Sequence, residues 1–392
     1  MADLKITFLG MQFPNPFVLA SGPPTANAQM VMDAFAKGWG GAVLKTIGQV
    51  TTRNPSPRIQ VIHQERVKLG MINIELISER GLADWKDDII KIRSSYPKHP
   101  LIASIMGGSN PDDWQEVVHR LEPCGISAFE MNVSCPNFIS KKGSQLGQDP
   151  ESLGKAIHWV REATYLPVIV KLTPNVTDII QLAEVAKESG ADAVTAINTL
   201  SGLGGIDLQT LHPQPSAGSL GTFGGYSGPG LKPVALRCAA SIAQKVSIPL
   251  LGSGGISAWQ DAAEFMAAGC SLVEICTAVM WNGYAIIHQF LHGLSNYLEQ
   301  HQFASSAELV GKALPFLVQH PDLNLDARLL AQVNLKECTG CSLCIQACAS
   351  GASRAIYRKN KKIAIDPSRC DGCGLCLEIC PTNAIRMIPC NN

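Results

Sequence analysis

Eight short apolar runs punctuate the chain between Phe17 and Cys276: "FVLA", "AVLKT", "LIASIM", "AFEMNV", "PVIVKLT", "AVTAIN", "PLLGS" and "LVEIC". Each is close to continuous instead of alternating, the pattern of strands buried on both faces. Between most of them lie stretches such as "QMVMDAFAKG", "DDWQEVVHRLEPCG", "TDIIQLAEVAKESG" and "AWQDAAEFMAAG", whose apolar residues recur every three to four positions, as on amphipathic helices. Several end in glycine and run straight into a strand, as in "AKGWGGAVLKT" and "KESGADAVTAIN"; glycine takes the left-handed helix-stop conformation without steric penalty. About eight such units in roughly 280 residues predict an α/β fold, a (β/α)8 TIM barrel, ahead of an open doubly wound sheet. The expected organisation is a barrel over residues 1–300, a linker over 301–333 and a small α+β domain over 334–392.

Composition agrees with a globular chain. Its 392 residues, 46% hydrophobic and 16% charged, suffice for one large core and a smaller second one. Thirty-two basic residues balance thirty-two acidic ones, so no overall field draws the chain to nucleic acid or to an anionic membrane. The opening "MADLKITFLGMQFPNPF" lacks a basic segment followed by a long apolar run, and no stretch reaches the length of a bilayer span, so a cytoplasmic location is expected. Thiols stay reduced in that compartment, and dense cysteine there reads as metal or redox chemistry ahead of disulfides.

A barrel concentrates chemistry at the C-terminal ends of its strands. The second run ends in Lys45-Thr46, the fourth in "NVSCPN" from Asn132, the fifth in Lys171 and "TPN", the sixth in Asn198-Thr199, the seventh in "GSGGI" from Gly252 and the eighth in Cys276-Thr277. Any one of these alone suits an ordinary polar loop; their convergence on one rim points to a site. The glycine amides of "GSGGIS" and the helix start in "CTAV" suit a phosphate group. Lysines at two strand ends, Lys45 and Lys171, suit a ring that gains negative charge on reduction.

"CTGCSLCIQAC" from Cys338 and "CDGCGLCLEICP" from Cys370 carry the C-x-x-C-x-x-C-x-x-x-C spacing of bacterial two-cluster ferredoxins. Zinc sites take two separated cysteine pairs, and a third cysteine three residues on has no place in that scheme. In the ferredoxin arrangement the fourth cysteine of each run crosses over. Cys338, Cys341, Cys344 and Cys380 are then expected around one 4Fe-4S cluster, and Cys370, Cys373, Cys376 and Cys348 around the other. The first run has Ala349 where the second has Pro381, which removes no ligand.

"NVSCPN", "KLTPN", "NTLSG", "GYSGPGLKPVALR" and "GSGGI" together resemble the flavin mononucleotide (FMN) barrels of dihydroorotate and dihydropyrimidine dehydrogenases. "NIELIS" from Asn73 resembles the pyrimidine-contacting loop of the dihydropyrimidine branch, which also ends in a two-cluster ferredoxin domain; the likeness is nearest to the catalytic subunits of bacterial NAD-dependent dihydropyrimidine dehydrogenases. It runs from about Ile6 to the C-terminal clusters. The resemblance implies FMN contacts from Ala20, Ser21, Lys45, Thr46, Lys171, Gly228, Gly254, Gly255, Cys276 and Thr277. It implies pyrimidine contacts from Asn73, Glu75, Asn132, Asn198 and Thr199, with Ser134 nearby, and Cys135 as proton donor. Asn137 stands where mammalian members have histidine, but dihydroorotate enzymes share the asparagine, so this position does not separate the branches.

The residue chemistry agrees. Asparagine offers a donor and an acceptor on one short arm, matching the amide-like edges of uracil. Reducing the C5–C6 bond needs a hydride at C6 from flavin N5 and a proton at C5 from the opposite face. A thiol, mostly protonated at neutral pH, suits the second task. Cys124, Cys238, Cys270 and Cys390 read as ordinary packed residues. Cys135 sits instead in a polar, glycine-containing stretch, "NFISKKGSQLGQDP", expected as a mobile loop over substrate. No G-x-G-x-x-G follows a strand, so a separate NAD(P)H-oxidising flavin and iron-sulfur reductase subunit is the expected electron source, with the clusters as the wire. A dihydroorotate dehydrogenase is the nearest alternative, disfavoured because Glu75 would repel a substrate carboxylate. A non-catalytic electron-transfer subunit is disfavoured by the intact Cys135, Asn132, Lys171 and Asn198.

Overall fold

The computed structural model describes residues 2–134 and 146–390. Two compact units divide the chain, residues 1–316 and 317–392.

In the first unit all eight apolar runs form strands: β1 (Phe17–Leu19), β2 (Gly41–Val43), β3 (Leu101–Met106), β4 (Ala128–Asn132), β5 (Val168–Leu172), β6 (Ala193–Ala196), β7 (Leu250–Ser253) and β8 (Leu272–Ile275). Each pairs in parallel with the next, from β1 with β2 through to β7 with β8, and β8 returns to β1, so the sheet is a closed barrel. The expected TIM barrel is therefore present. Helices α1 (Ala28–Lys37), α2 (Leu82–Ser95), α3 (Pro111–Leu121), α4 (Pro150–Ala163), α5 (Ile179–Glu188), α6 (Lys232–Lys245), α7 (Trp259–Ala267), α8 (Thr277–Asn282) and α9 (Ile287–Gln300) complete the unit.

Local sequence explains these boundaries. Asn27 and Asp149 cap α1 and α4 by accepting from Met30 N and Ser152 N, and each cap spares a backbone amide from going unpaired. Gly38 (φ 105°) and Gly190 (φ 98°) end α1 and α5 in the left-handed region, as their sequence positions predict. The apolar face of α3, Trp114, Val117, Val118 and Leu121, is fully buried against the barrel.

Two interior layers set the height of the site. An N-terminal hairpin, Ile6–Phe8 with Met11–Phe13, plugs the bottom, where Ile6, Phe8 and Phe13 pack on Val18, Val43, Ile102, Ala128, Ile169, Ala193, Leu251 and Leu272. One step up the strands the inward residues turn polar: Lys45, Ser104, Glu130, Lys171, Thr195 and Glu274, all buried. Above them lies an element that the apolar pattern did not predict. Four antiparallel strands, in the order Leu200–Gly202, Gly224–Ser227, Val67–Asn73 and Ile59–Gln64, form a sheet from the excursions after β2 and β6.

The stretch expected as a linker, 301–333, divides between the units. Ser306 and Leu309 are buried, and Gly311 N and Ala313 N donate to Met266 O and Ala267 O at the end of α7. Residues to Phe316 thus belong with the barrel. In the second unit β9 (Leu329–Val333) pairs antiparallel with β12 (Ile385–Pro389), and β10 (Ile356–Lys359) with β11 (Lys362–Ile365). Helices α10 (Leu343–Gly351) and α11 (Leu375–Glu378) carry cysteines into a small core with Ala331, Ile356, Ile363 and Ile385. Among the described residues no helix is long and apolar enough to cross a membrane.

Candidate active site

A cavity opens at the C-terminal ends of the barrel strands, with about 1230 Å³ of space counting its open mouth. That is ample for a large planar cofactor and a small ring together. Sixteen residues singled out from sequence line it, and they arrive from different elements. Ala20 and Ser21 follow β1, Lys45 and Thr46 follow β2, and Asn132 and Ser134 lie at the end of β4. Lys171 lies on β5, Asn198 and Thr199 follow β6, and Gly254, Gly255, Cys276 and Thr277 follow β7 and β8. Asn73 and Glu75 come from the rim sheet, and Gly228 leads toward α6. Cys135 lies outside the described residues.

A chain of short polar side chains fixes the asparagines. Asn198 Nδ2 donates to Asn132 Oδ1 (3.1 Å) and to Ser134 Oγ (2.9 Å), while Asn132 Nδ2 donates to Thr46 Oγ1 (3.0 Å). Thr46 Oγ1 in turn meets Ser21 Oγ (3.1 Å) and Ser104 Oγ (3.0 Å). The rim sheet delivers its own pair: Glu75 N donates to Asn73 Oδ1 (2.8 Å), and Asn73 Nδ2 to Glu75 Oε2 (3.3 Å). Half-buried amides held this way keep one donor and acceptor orientation, as recognition of a flat polar ring requires.

Charge is concentrated on the inner wall. Lys45 Nζ stands 3.2 Å from Glu75 Oε1, and Arg58 Nε 3.9 Å from Glu75 Oε2. Lys171 Nζ lies 2.5 Å from Glu274 Oε2 and 3.5 Å from Glu130 Oε1. Burial acts to lower the Lys171 pKa, but Glu130 and Glu274 beside it outweigh that and raise it, so the ammonium stays charged. Burial pushes the Cys276 thiol up to about 11 against the pull of Lys45 and Lys171, so it is a neutral wall of the cavity at pH 7. Sequence reasoning missed Glu130 and Glu274; each is a single acid within an apolar run, and only the closed barrel shows that they meet.

The opposite wall suits a phosphate. Gly254 (φ 113°) and Gly255 (φ 81°) follow β7, and a Cβ on Gly255 would stand 2.4 Å from Lys232 N. Thr277 Oγ1 donates to Ser227 Oγ (2.9 Å) at the same wall. A left-handed glycine pair beside a hydroxyl-bearing helix start is a shape that closes on an anion.

In the second unit the eight cysteines ring two separate hollows. One is lined by Cys338, Cys341, Cys344 and Cys380, the other by Cys348, Cys370, Cys373 and Cys376. The last cysteine of each run therefore faces the other run's hollow. Ala384 N donates to Cys380 Sγ (3.2 Å), which favours the thiolate there, and Ala355 N donates to Cys348 Sγ (3.3 Å). Ser353 Oγ, on the wall of the second hollow, is buried without a partner, so a sulfur-bearing group filling that hollow would satisfy it. The donor set fits iron-sulfur clusters.

Comparison with known proteins agrees with this geometry. Residues 3–298 match the family model for dihydroorotate dehydrogenase, and residues 331–387 match a 4Fe-4S dicluster domain. The chain is 36% identical to the NAD-dependent dihydropyrimidine dehydrogenase subunit PreA of Escherichia coli, over 92% of this chain and 88% of that protein. It is 35% identical to the chloroplastic dihydropyrimidine dehydrogenase (NADP(+)) of Arabidopsis thaliana, over 82% and 79%. It is 39% identical to the catalytic subunit of dihydroorotate dehydrogenase B (NAD(+)) of Pyrococcus furiosus, over 79% of this chain and 99% of that one. The chain belongs to the dihydroorotate dehydrogenase family of flavin-dependent oxidoreductases, in a form that carries a C-terminal 4Fe-4S domain as well.

Proposed function

We propose that this chain is the catalytic subunit of a dihydropyrimidine dehydrogenase, interconverting uracil or thymine and the 5,6-dihydropyrimidine. The observation that carries the reading is the set of three asparagines, Asn73, Asn132 and Asn198, together with Glu75, on the wall of one cavity that also holds Lys45 and Lys171. Uracil and thymine are neutral rings edged by alternating donors and acceptors, and this set offers the complement; among the described residues the wall lysines Lys45 and Lys171 are already paired, with Glu75 and with Glu130 and Glu274.

Asn132 and Asn198, locked to Ser134 and Thr46, orient the ring, and Thr199 adds a wall whose backbone is fixed by Asn198 Oδ1. Glu75, its charge met by Lys45, accepts a ring N–H. FMN, held by Ala20, Ser21, Lys45, Thr46, Lys171, Gly228, Gly254, Gly255, Cys276 and Thr277, supplies the hydride when bound. Lys171 and Lys45 place positive charge where that cofactor gains electrons. Cys135 gives the proton to C5. The eight cysteines of the second unit would hold two 4Fe-4S clusters, Cys338, Cys341, Cys344 and Cys380 on one and Cys370, Cys373, Cys376 and Cys348 on the other, and such clusters would supply single-electron transfer from a separate NAD(P)H-oxidising flavoprotein subunit.

A dihydroorotate reading draws support from Arg58 and Lys45, because their charges offset the repulsion that Glu75 alone would exert on a substrate carboxylate. Glu75 is thus a weaker discriminator than its sequence position implies. The direct test of the proposed chemistry is Cys135→Ala in single turnover with uracil. Ring reduction should slow by roughly a hundredfold or more with pyrimidine binding retained, the scale of a lost general acid. Dihydrouracil formed at the wild-type rate would refute the role of Cys135.

A further inference from the structure

Two buried carboxylates of the polar layer, Glu130 and Glu274, draw on one cation, Lys171. Glu130 on β4 and Glu274 on β8 are 0% and 1% exposed, and the apolar layer of Val43, Ile102, Ala128 and Leu272 lies beneath them. Lys171 serves both, 2.5 Å from Glu274 and 3.5 Å from Glu130. The next lysine, Lys45, is paired with Glu75. Two ionised carboxylates and one ammonium would leave a net negative charge in a dry interior, which is strongly unfavourable.

The hydrogen bonds give the same count. Thr195 Oγ1 lies 2.9 Å from Glu130 Oε2 and 3.4 Å from Glu274 Oε1, yet its hydroxyl has one proton to give. Glu130 Oε1 takes no hydrogen bond. One added proton settles the charge and the Thr195 conflict together: a neutral Glu130 donates from Oε2 to Thr195 Oγ1, and Thr195 donates to Glu274. Burial and the neighbouring Glu274 charge raise the Glu130 pKa well above the carboxylate range, against a smaller pull from Lys171.

We propose that Glu130 and Glu274 share a single proton and act as positioning residues, holding Lys171 in the cavity wall as one half of a neutral ion pair. The inference rests on the reading that a reducible ring occupies this cavity. With the proton in place, negative charge gained by that ring meets an ammonium whose surroundings sum to zero. Without it, a net negative charge beneath the ring would oppose reduction. Thr195 on β6, Lys45 and Ser104 from β2 and β3, and the Cys276 thiol complete the surroundings, and none of them supplies a second unpaired positive charge.

Infrared spectroscopy of the flavin-free, full-length protein tests the shared proton without reference to activity. The carbonyl stretch of a neutral carboxylic acid should appear in the wild type at pH 7. It should be missing in Glu130→Gln and equally in Glu274→Gln, because one carboxylate alone matches Lys171. A wild-type spectrum without that band, or a band kept in both variants, overturns the proposal. Flavin reductive titration gives the second readout. In either single variant the ratio of reduced to oxidised flavin at fixed potential should stay within about threefold of wild type, and in the double variant it should rise tenfold or more, as expected for one uncompensated buried charge. A tenfold rise in the single variants would mean that both carboxylates are ionised and would refute the shared proton. Should the protein hold no flavin, the infrared result still decides the proton, and the two failures remain separate.

Discussion

Lys45 Nζ lies 3.2 Å from Glu75 Oε1 with both side chains at or below a tenth exposed, and this ion pair ties the end of a barrel strand to the antiparallel sheet above it. Glu75 is therefore a charged hydrogen-bond acceptor held rigidly in the cavity wall. In Glu75→Gln the acceptor survives but its charge does not, and uracil binding should weaken by about tenfold, the worth of one charge-assisted hydrogen bond. Titration of the flavin absorbance with uracil measures it. Unchanged affinity would remove Glu75 from the ring-binding set.

Gly255 is shaped by its neighbours more than by its own flexibility. A methyl group there would stand 2.4 Å from Lys232 N and 2.6 Å from Lys232 Cα, at a φ of +81° that side chains rarely adopt. Gly255→Ala should destabilise the barrel by about 1–3 kcal/mol and release bound FMN. Denaturant unfolding and flavin content after gel filtration check the two effects, and a variant that keeps both would place the phosphate elsewhere.

The crossed arrangement of cysteines has a spectroscopic signature. Cys348→Ser and Cys373→Ser border the same hollow, so both should disturb one paramagnetic cluster signal; Cys341→Ser and Cys380→Ser should disturb the other. Pairing each run with its own fourth cysteine would instead group Cys348 with Cys341. Electron paramagnetic resonance of the reduced variants, with iron and sulfide content, distinguishes the two.

Alkaline stability should report on Cys276. Its folded pKa is raised from 9.0 to about 11, chiefly by burial, so the folded state binds the thiol proton more tightly than the unfolded chain does. Between about pH 9 and pH 11 the unfolded state loses that proton first, and stability falls as pH rises through this window. Cys276→Ser, whose hydroxyl does not titrate there, should show a shallower decline in flavin-free protein. Superimposable alkaline limbs would contradict the burial of the thiol.

Much of this architecture is readable from the chain because parallel barrel strands are covered on both faces and so appear as unbroken apolar runs, as in "LIASIM" and "PVIVKLT". The rim sheet is not readable that way. Ile59–Gln64 contains Gln60, His63 and Gln64, and Asn73 finds its partner Gly225 far along the chain, so no local periodicity marks the pair. Strand-end residues such as Lys45, Asn132 and Thr277 were legible because the barrel rule places chemistry there. Glu130 and Glu274 sit in strand interiors, where one acid in an apolar run gives no sign of its partner. The cysteine runs stand at the other extreme: their spacing pointed to the ferredoxin arrangement, whose crossed grouping matches the cysteines that line each hollow.

Substrate choice tests the central claim most directly. Photoreduced protein, reconstituted with FMN and free of oxygen, is mixed in a stopped-flow instrument with uracil, thymine and orotate in turn while flavin absorbance is followed and products are identified. Rapid flavin reoxidation by uracil or thymine with formation of the 5,6-dihydro product, and little response to orotate, is the expected result. Rapid reoxidation by orotate with none by uracil or thymine would contradict it and make the chain a dihydroorotate dehydrogenase.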